Sequence, residues 1–357
     1  MDHRNAFRAS RRIALSAPAL LLLGRGAGAQ PAAATRWTLF KQRFLAPEGR
    51  IVDSDNAGIS HSEGQAWGLL FAGKHEDWPT FERLLRWTRG NLAIRGDRLL
   101  AWRFRPIGGV DDINSATDAD LFYAWALLRA DQRWPGQGLR AMAAAVAADI
   151  LRVSCRQFEG RTLLMPGAWG FDHADHLVVN PSYYVFPALE AMALAFPHPG
   201  WAALIAEGER MMAQARFGRW GLPADWVALG RRGGPVEPQR GRGDRFGDDA
   251  VRVPLYLAWS GRWQAPPIAA AAQFWNEPSH PFQPAWVRLS TGAISNYPAS
   301  QGMAAIRALV SPRDAARAAQ PPGEDRGYYS ACLSLLTECA ATEGPPRPDG
   351  LRVAALR

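Results

Sequence analysis

Apolar positions along the chain recur at three- and four-residue spacing far more often than at every second residue. Stretches with that period run over 64–73, 79–91, 118–131, 137–152, 183–196, 201–215, 248–260, 265–275, 298–309 and 327–340, as expected of helices that bury one face. Strand-like alternation is scarce. The polar segments between them, such as 105–115 and the Gly-, Arg- and Pro-rich 230–247, supply breakers that end helices and start turns. The pattern predicts helix pairs in one continuous all-α domain, with no linker splitting it.

The N-terminus follows another pattern. A basic stretch ending in Arg11-Arg12, an apolar run over 13–23 and the small residues Ala27-Gly28-Ala29 read as an export signal cleaved near Ala29 and too short to span a bilayer. The stretch 10–15 loosely resembles a twin-arginine signal, and the export route stays open. The chain therefore divides into a signal peptide, 1–29, and a single domain, 30–357, of roughly 330 residues, enough for one substantial core. That places the mature protein in the periplasm or outside the cell. No later stretch approaches the roughly 18 apolar residues of a transmembrane helix, so no membrane span is expected in the mature chain.

Composition then removes other classes. With 48% hydrophobic and 21% charged residues, the chain falls in the ordinary globular range. The formal charge is +8, but Arg4, Arg8, Arg11, Arg12 and Arg25 face only Asp2 in the signal, which holds about half of it. The remaining basic residues are scattered, with Lys41 and Lys74 the only lysines, and no nucleic-acid partner is expected. Cys332 and Cys339 would lie about two helical turns, roughly 10 Å, apart, beyond disulfide reach, and are expected as buried thiols. No Cys or His spacing forms a metal-ligand pair, so neither metal nor cofactor is expected. Arg242-Gly243-Asp244 matches an adhesion tripeptide, but in a Gly/Arg-biased loop such a match arises easily by chance.

The informative feature is where acids fall relative to helix starts. Glu63 follows Ser60-His61-Ser62; Asp118 and Asp120 follow Asn114-Ser115-Ala116-Thr117; Asp248 and Asp249 precede Ala250-Val251-Arg252-Val253-Pro254. Ser60-x-x-Glu63 and Ser115-x-x-Asp118 also match capping boxes, so each acid taken singly reads as a cap. If the helices run as pairs, alternate starts gather at one end, and three acids converge where loops build clefts. One protonated and one ionised carboxyl is the requirement for cleaving a glycosidic bond with inversion. On position alone, Asp118 in a first helical turn is expected to stay ionised, and Glu63, beside Trp67 and apolar helix residues, to act as the protonated acid. Trp102, Trp169, Trp220 and Trp226 fall in loop-like segments, where flat rings can stack on sugar faces.

These residues carry a resemblance. Ser62-Glu63-Gly64-Gln65-Ala66-Trp67-Gly68, Leu100-Ala101-Trp102 and Asn114-Ser115-Ala116-Thr117-Asp118-Ala119-Asp120 resemble, in order and spacing, glycoside hydrolase family 8, most closely the periplasmic endoglucanases that accompany bacterial cellulose synthases. Leu164-Met165-Pro166-Gly167, Asn180-Pro181-Ser182-Tyr183, Pro223-Ala224-Asp225-Trp226-Val227, Asp249 to Pro254 and Gly327-Tyr328-Tyr329 extend it over nearly the whole mature chain. The resemblance implies an (α/α)6 barrel and a metal-free, inverting endo-β-1,4-glucanase. Residue by residue, Glu63 matches the proton donor, Asp249 the base that activates water, and Asp118 an acid that holds and polarises the sugar at the cleaved bond. Tyr183 matches a residue that places the water, Trp102 an aromatic of the cleft, and Arg252 an arginine that orients carboxylates; Asp120 is grouped with the substrate-binding residues. The implied partners are a β-1,4-glucan and a cellulose synthase complex. One departure is Asp248, where the family commonly has Tyr, which leaves Asp248 as a rival to Asp249. The same mechanism on xylan or chitosan, and a weakly active glycan-binding scaffold, remain the alternatives.

Overall fold

Each stretch with helical spacing carries a helix, its ends set by proline and side-chain caps. The computed structural model describes residues 35–311 and 327–348; the expected signal, 1–29, lies outside the described residues. The helices are α1 (Arg36–Phe44), α2 (Ser62–Lys74), α3 (Trp78–Asn91), α4 (Thr117–Arg133), α5 (Leu139–Val153), α6 (Phe186–Ala195), α7 (Pro199–Gln214), α8 (Arg252–Trp259), α9 (Pro266–Trp275), α10 (Gln301–Val310) and α11 (Tyr328–Glu343). Proline stands in the first turn of α3, α6, α7 and α9, where a missing N–H costs nothing. Thr35, His61, Asp77, His198 and Ser300 accept a backbone N–H at the starts of α1, α2, α3, α7 and α10, satisfying donors that a helix leaves open.

The helices pack as an inner ring inside an outer layer. α2, α4, α6, α8, α10 and α11 contact one another in that order, and α11 returns to α2. α1 packs on α11, α3 on α2, α5 on α4, α7 on α6, and α9 on α8 and α10, giving the (α/α)6 barrel. Burial separates the layers. α3 buries the stripe Phe81, Leu84, Leu85 and Thr88, an amphipathic outer helix, whereas α8 buries every residue from Arg252 to Trp259. Cys332 and Cys339 lie buried and free in α11.

Two features depart from the expected pattern. α1 was not expected, although Trp37, Phe40 and Phe44 are its buried residues and share one helical face. Short strands also occur: β1 (Ser60–His61), β2 (Arg103–Arg105), β3 (Gly109–Asp112), β4 (Cys155–Phe158), β5 (Arg161–Leu164), β6 (His176–Val179), β7 (Val227–Gly230), β8 (Val236–Pro238), β9 (Arg245–Phe246) and β10 (Val287–Arg288). They pair as β1-β2-β3, β4-β5, β6-β7-β8 and β9-β10. At two to four residues, a period of two has no length in which to show. β1, β3, β6 and β9 lead into the starts of α2, α4, α6 and α8, so they wall the end of the barrel where the inner helices begin.

Candidate active site

Arg252, the first residue of α8, is the hub of that end. It is 3% exposed, and its Nη1 donates to Glu63 Oε1 and to Asp118 Oδ2 (3.1 Å), while Nη2 donates to Asp249 Oδ1 (2.6 Å). Its guanidinium also lies 5.7 Å from the Trp67 ring centre, a cation–π contact. Three carboxyls, two in the first turns of α2 and α4 and one in the turn before α8, therefore share one cation. One guanidinium cannot neutralise three carboxylates, so the acids repel one another across the cluster.

Exposure divides the roles. The side chains of Glu63 and Asp249 are 20% and 27% exposed, against 1% for Asp118. Glu63 and Asp249 reach solvent, and Asp118 is sealed beneath them. Burial, then the neighbouring Glu63 charge and a hydrogen bond to Glu63, push the Asp118 carboxyl well above its usual range. That direction runs against the expectation drawn from its helix-start position, because burial disfavours the charged form more than a first-turn position favours it. Burial also raises Asp249, Arg252 pulls it back and Asp118 raises it again. Arg252 itself, despite burial, is held well above its ordinary value by the charges around it, Glu63 foremost.

The capping-box expectation fails at both helices. His61, not Ser60, caps α2, with Nδ1 accepting from Gly64 N (3.1 Å), and Ser60 Oγ donates to the Ile51 carbonyl (2.5 Å). α4 begins after Ala116 with no side-chain cap; Asp118 Oδ1 accepts from its neighbour Ala119 N (2.9 Å). Asp248 and Asp249 do not open a helix, since α8 starts three residues later, and both lie in the preceding turn. The turn separates them. Asp249 faces inward, its Oδ2 accepting from Trp226 Nε1 (3.0 Å); Asp248 is exposed, and its carbonyl accepts from the Tyr329 hydroxyl.

The remaining expected residues fall on both sides of the line. Trp102 is tied beside Glu63, because Ser62 N donates to its carbonyl (2.9 Å), and Arg103 covers its ring at 4.6 Å. Tyr183 ends a short 3-10 turn, Pro181–Tyr183; burial and the charges of Asp118, Asp249 and Glu63 push its phenol well up. Trp226 stacks on Phe171 at 5.7 Å, and Trp169 is half exposed. Two expectations are corrected. Asp120 is fully buried and accepts from Leu100 N (2.9 Å), so its side chain braces the loop leading to Trp102 instead of facing open space. Trp220, 7% exposed, packs on Phe274 in the core. Conversely, Asp225 and Tyr329 lay within matched motifs without a role, and nothing in their spacing could have placed them against Asp249 and Asp248. Among the described residues no cluster of His, Cys, Asp or Glu is arranged to hold a metal ion.

The chain is similar to known proteins along most of its length. The model of glycosyl hydrolases family 8 matches residues 15–343. A probable endoglucanase of Novacetimonas hansenii is 38% identical over 332 residues, 91% of this chain and 96% of its own. An endoglucanase of Cellulomonas uda is 36% identical over 281 residues, 78% of this chain and 77% of its own. The solved structure of endo-β-1,4-glucanase CMCax from Acetobacter xylinum is similar with a TM-score of 0.79 at 37% identity, over 86% of this chain and 97% of that one.

Proposed function

The chain belongs to the glycosyl hydrolases of family 8, and from that premise we propose that Glu63 is the proton donor and Asp249 the base of an inverting endo-β-1,4-glucanase. The protein is a glycoside hydrolase of the cellulase type, like its endoglucanase relatives. One observation carries the assignment of roles: of three carboxyls gathered on Arg252, the two that reach solvent sit on different guanidinium nitrogens. A glucan strand above Arg252 then meets one carboxyl at the leaving oxygen and the other on the opposite face of the ring.

The chemistry follows from this placement. Glu63 gives its proton to the glycosidic oxygen as the bond to C1 breaks. A water on the far side loses a proton to Asp249 as its oxygen bonds to C1, so the anomeric configuration inverts. Asp118, buried beneath, keeps a polar group against the sugar that gains positive character. Tyr183, among the same carboxyls, borders the water's approach, and Trp102 and Trp226 supply flat faces for stacking.

The basic start, the apolar run 13–23 and Ala27-Gly28-Ala29 support export of a single domain, 30–357, to the periplasm or beyond. The glucan is then met outside the cytoplasm, where a cellulose synthase complex releases its product. Reducing-end release from carboxymethyl-cellulose, with xylan and chitosan in parallel, tests the reading on the chain from Gln30 onward. Glu63→Gln and Asp249→Asn are expected to lower turnover by roughly 100-fold or more, and Asp248→Asn to leave it nearly unchanged. Activity surviving in Glu63→Gln removes the acid assignment; loss in Asp248→Asn with activity in Asp249→Asn reverses the base.

A further inference from the structure

Beside the base lies a second buried carboxyl that the reaction does not use. Asp225, in the segment entering β7, is 9% exposed. Its Oδ1 accepts from Gly247 N (3.0 Å) and Ala250 N (2.8 Å), and its own N–H donates to the Arg245 carbonyl (2.7 Å). The two accepted N–H groups bracket Asp248 and Asp249, so one oxygen closes the loop that carries the base. The turn continues into α8 through Val251 N to the Gly247 carbonyl (3.0 Å) and Arg252 N to the Asp249 carbonyl (3.1 Å). Asp225 also adjoins Trp226, which donates to Asp249.

We propose that Asp225 is a positioning residue for the catalytic base, its carboxyl locking the 247–250 turn so that Asp249 meets Arg252 and Trp226 together. The inference rests on Asp249 being the base. Asp225 holds the turn as a neutral acid. Burial, then the charges of Asp249 and Asp248, push it up to about 8, against the pull of the Ala250 and Gly247 N–H groups. The nearby cations are engaged elsewhere: Arg252 on Asp249, Arg245 over the Trp286 ring at 4.3 Å and Arg242 over the Trp226 ring at 6.0 Å. A neutral acid keeps two hydrogen-bond acceptor sites for the turn without placing a second negative charge against the base.

The test compares kcat, KM and the acid limb of the pH profile on carboxymethyl-cellulose for wild type, Asp225→Ala, Asp225→Asn and Asp249→Asn. Asp225→Ala is expected to lower kcat by about 10-fold or more through misplacement of the base, with KM within about twofold because Phe171 still holds the Trp226 ring and Trp102 is tied to Ser62 N, not to the turn. Asp225→Asn keeps an acceptor oxygen and removes no charge below pH 8, so kcat is expected within about threefold of wild type and the acid limb unmoved. The inference is overturned by unchanged kcat in Asp225→Ala, by an equal loss in Asp225→Asn, or by an acid limb that moves down in Asp225→Asn, which would reveal a charged Asp225. Should Asp225→Ala not fold, Gly247→Ala reaches the same contact from the other side. Its new methyl would stand 2.9 Å from Asp225 Oδ2, and kcat is expected to fall; no fall also overturns the inference. Full activity in Asp249→Asn would instead sink the base assignment itself.

Discussion

Arg252 sets the electrostatics of the site because its planar fork offers donors in two directions at once. Nη1 serves Glu63 and Asp118, and Nη2 serves Asp249. A lysine carries the same charge at a single point and cannot hold carboxylates on two sides. Arg252→Lys is therefore expected to fold and to lose roughly 100-fold in kcat, the scale of a misplacement of about 1 Å in the reacting groups, measured by reducing-end release beside a thermal melt. Activity within a few-fold of wild type would show that charge alone suffices. The four residues of this cluster were legible because each lies in a short motif with its own helix-start context. Asp120 was grouped with the substrate-binding residues because its motif places it beside Asp118, but the motif cannot say that its side chain turns to Leu100 N.

Helix ends decided more than helix interiors. The capping reading made Glu63 and Asp118 ordinary first-turn acids, yet His61 caps α2 and nothing caps α4. Glu63 is thereby left free to turn to Arg252, and Asp118 turns one oxygen to Arg252 while the other accepts from Ala119 N. A helix end with no such second duty is α10, where Ser300 accepts from Met303 N (3.3 Å). Ser300→Ala is expected to cost about 1 kcal/mol, a fall of about 2 °C in a melt of a chain this size, with kcat unchanged. A larger loss of activity than of stability would place α10 in the chemistry. The helices themselves were readable from their period, which needs ten or more residues to appear. The strands of two to four residues were not, and neither was the delayed start of α8, before which Asp225 binds the turn.

Closing the ring has a cost in protonation that the whole protein shares. Asp118, Asp225 and Asp249 all have their carboxyls raised, burial being the first cause in each. In the unfolded chain they titrate near 4. Between that and the folded value the native state binds more protons than the unfolded one, so stability falls as pH rises; for Asp225 the window ends at about 8, and the slope follows from linkage. Asp77 and Asp97 act in the opposite sense. Against the pull of burial, hydrogen bonds from Lys41 and Arg95 hold them low, and their stabilisation is lost as pH falls below the usual carboxylate range. The melting temperature is expected to decline from mildly acidic pH towards 8. Asp225→Asn should flatten that decline, with its advantage over wild type growing through the window and levelling near pH 8. An equal slope in both proteins would mean that Asp225 is ionised in the fold.

Periodicity and motif order were enough for the helices, the barrel and the acids Glu63, Asp118 and Asp249, because these depend on local spacing and on short segments that keep their own context. Which acid carries a proton, which faces solvent and which merely braces a loop depended on burial, on the single guanidinium they share and on a turn held from β7's entry. Those are contacts between residues as far apart as Glu63 and Arg252. Desolvation and Coulomb energy act through space, so only the folded chain could decide that Asp118 lies buried, Asp249 turns inward to Arg252 and Asp248 faces solvent.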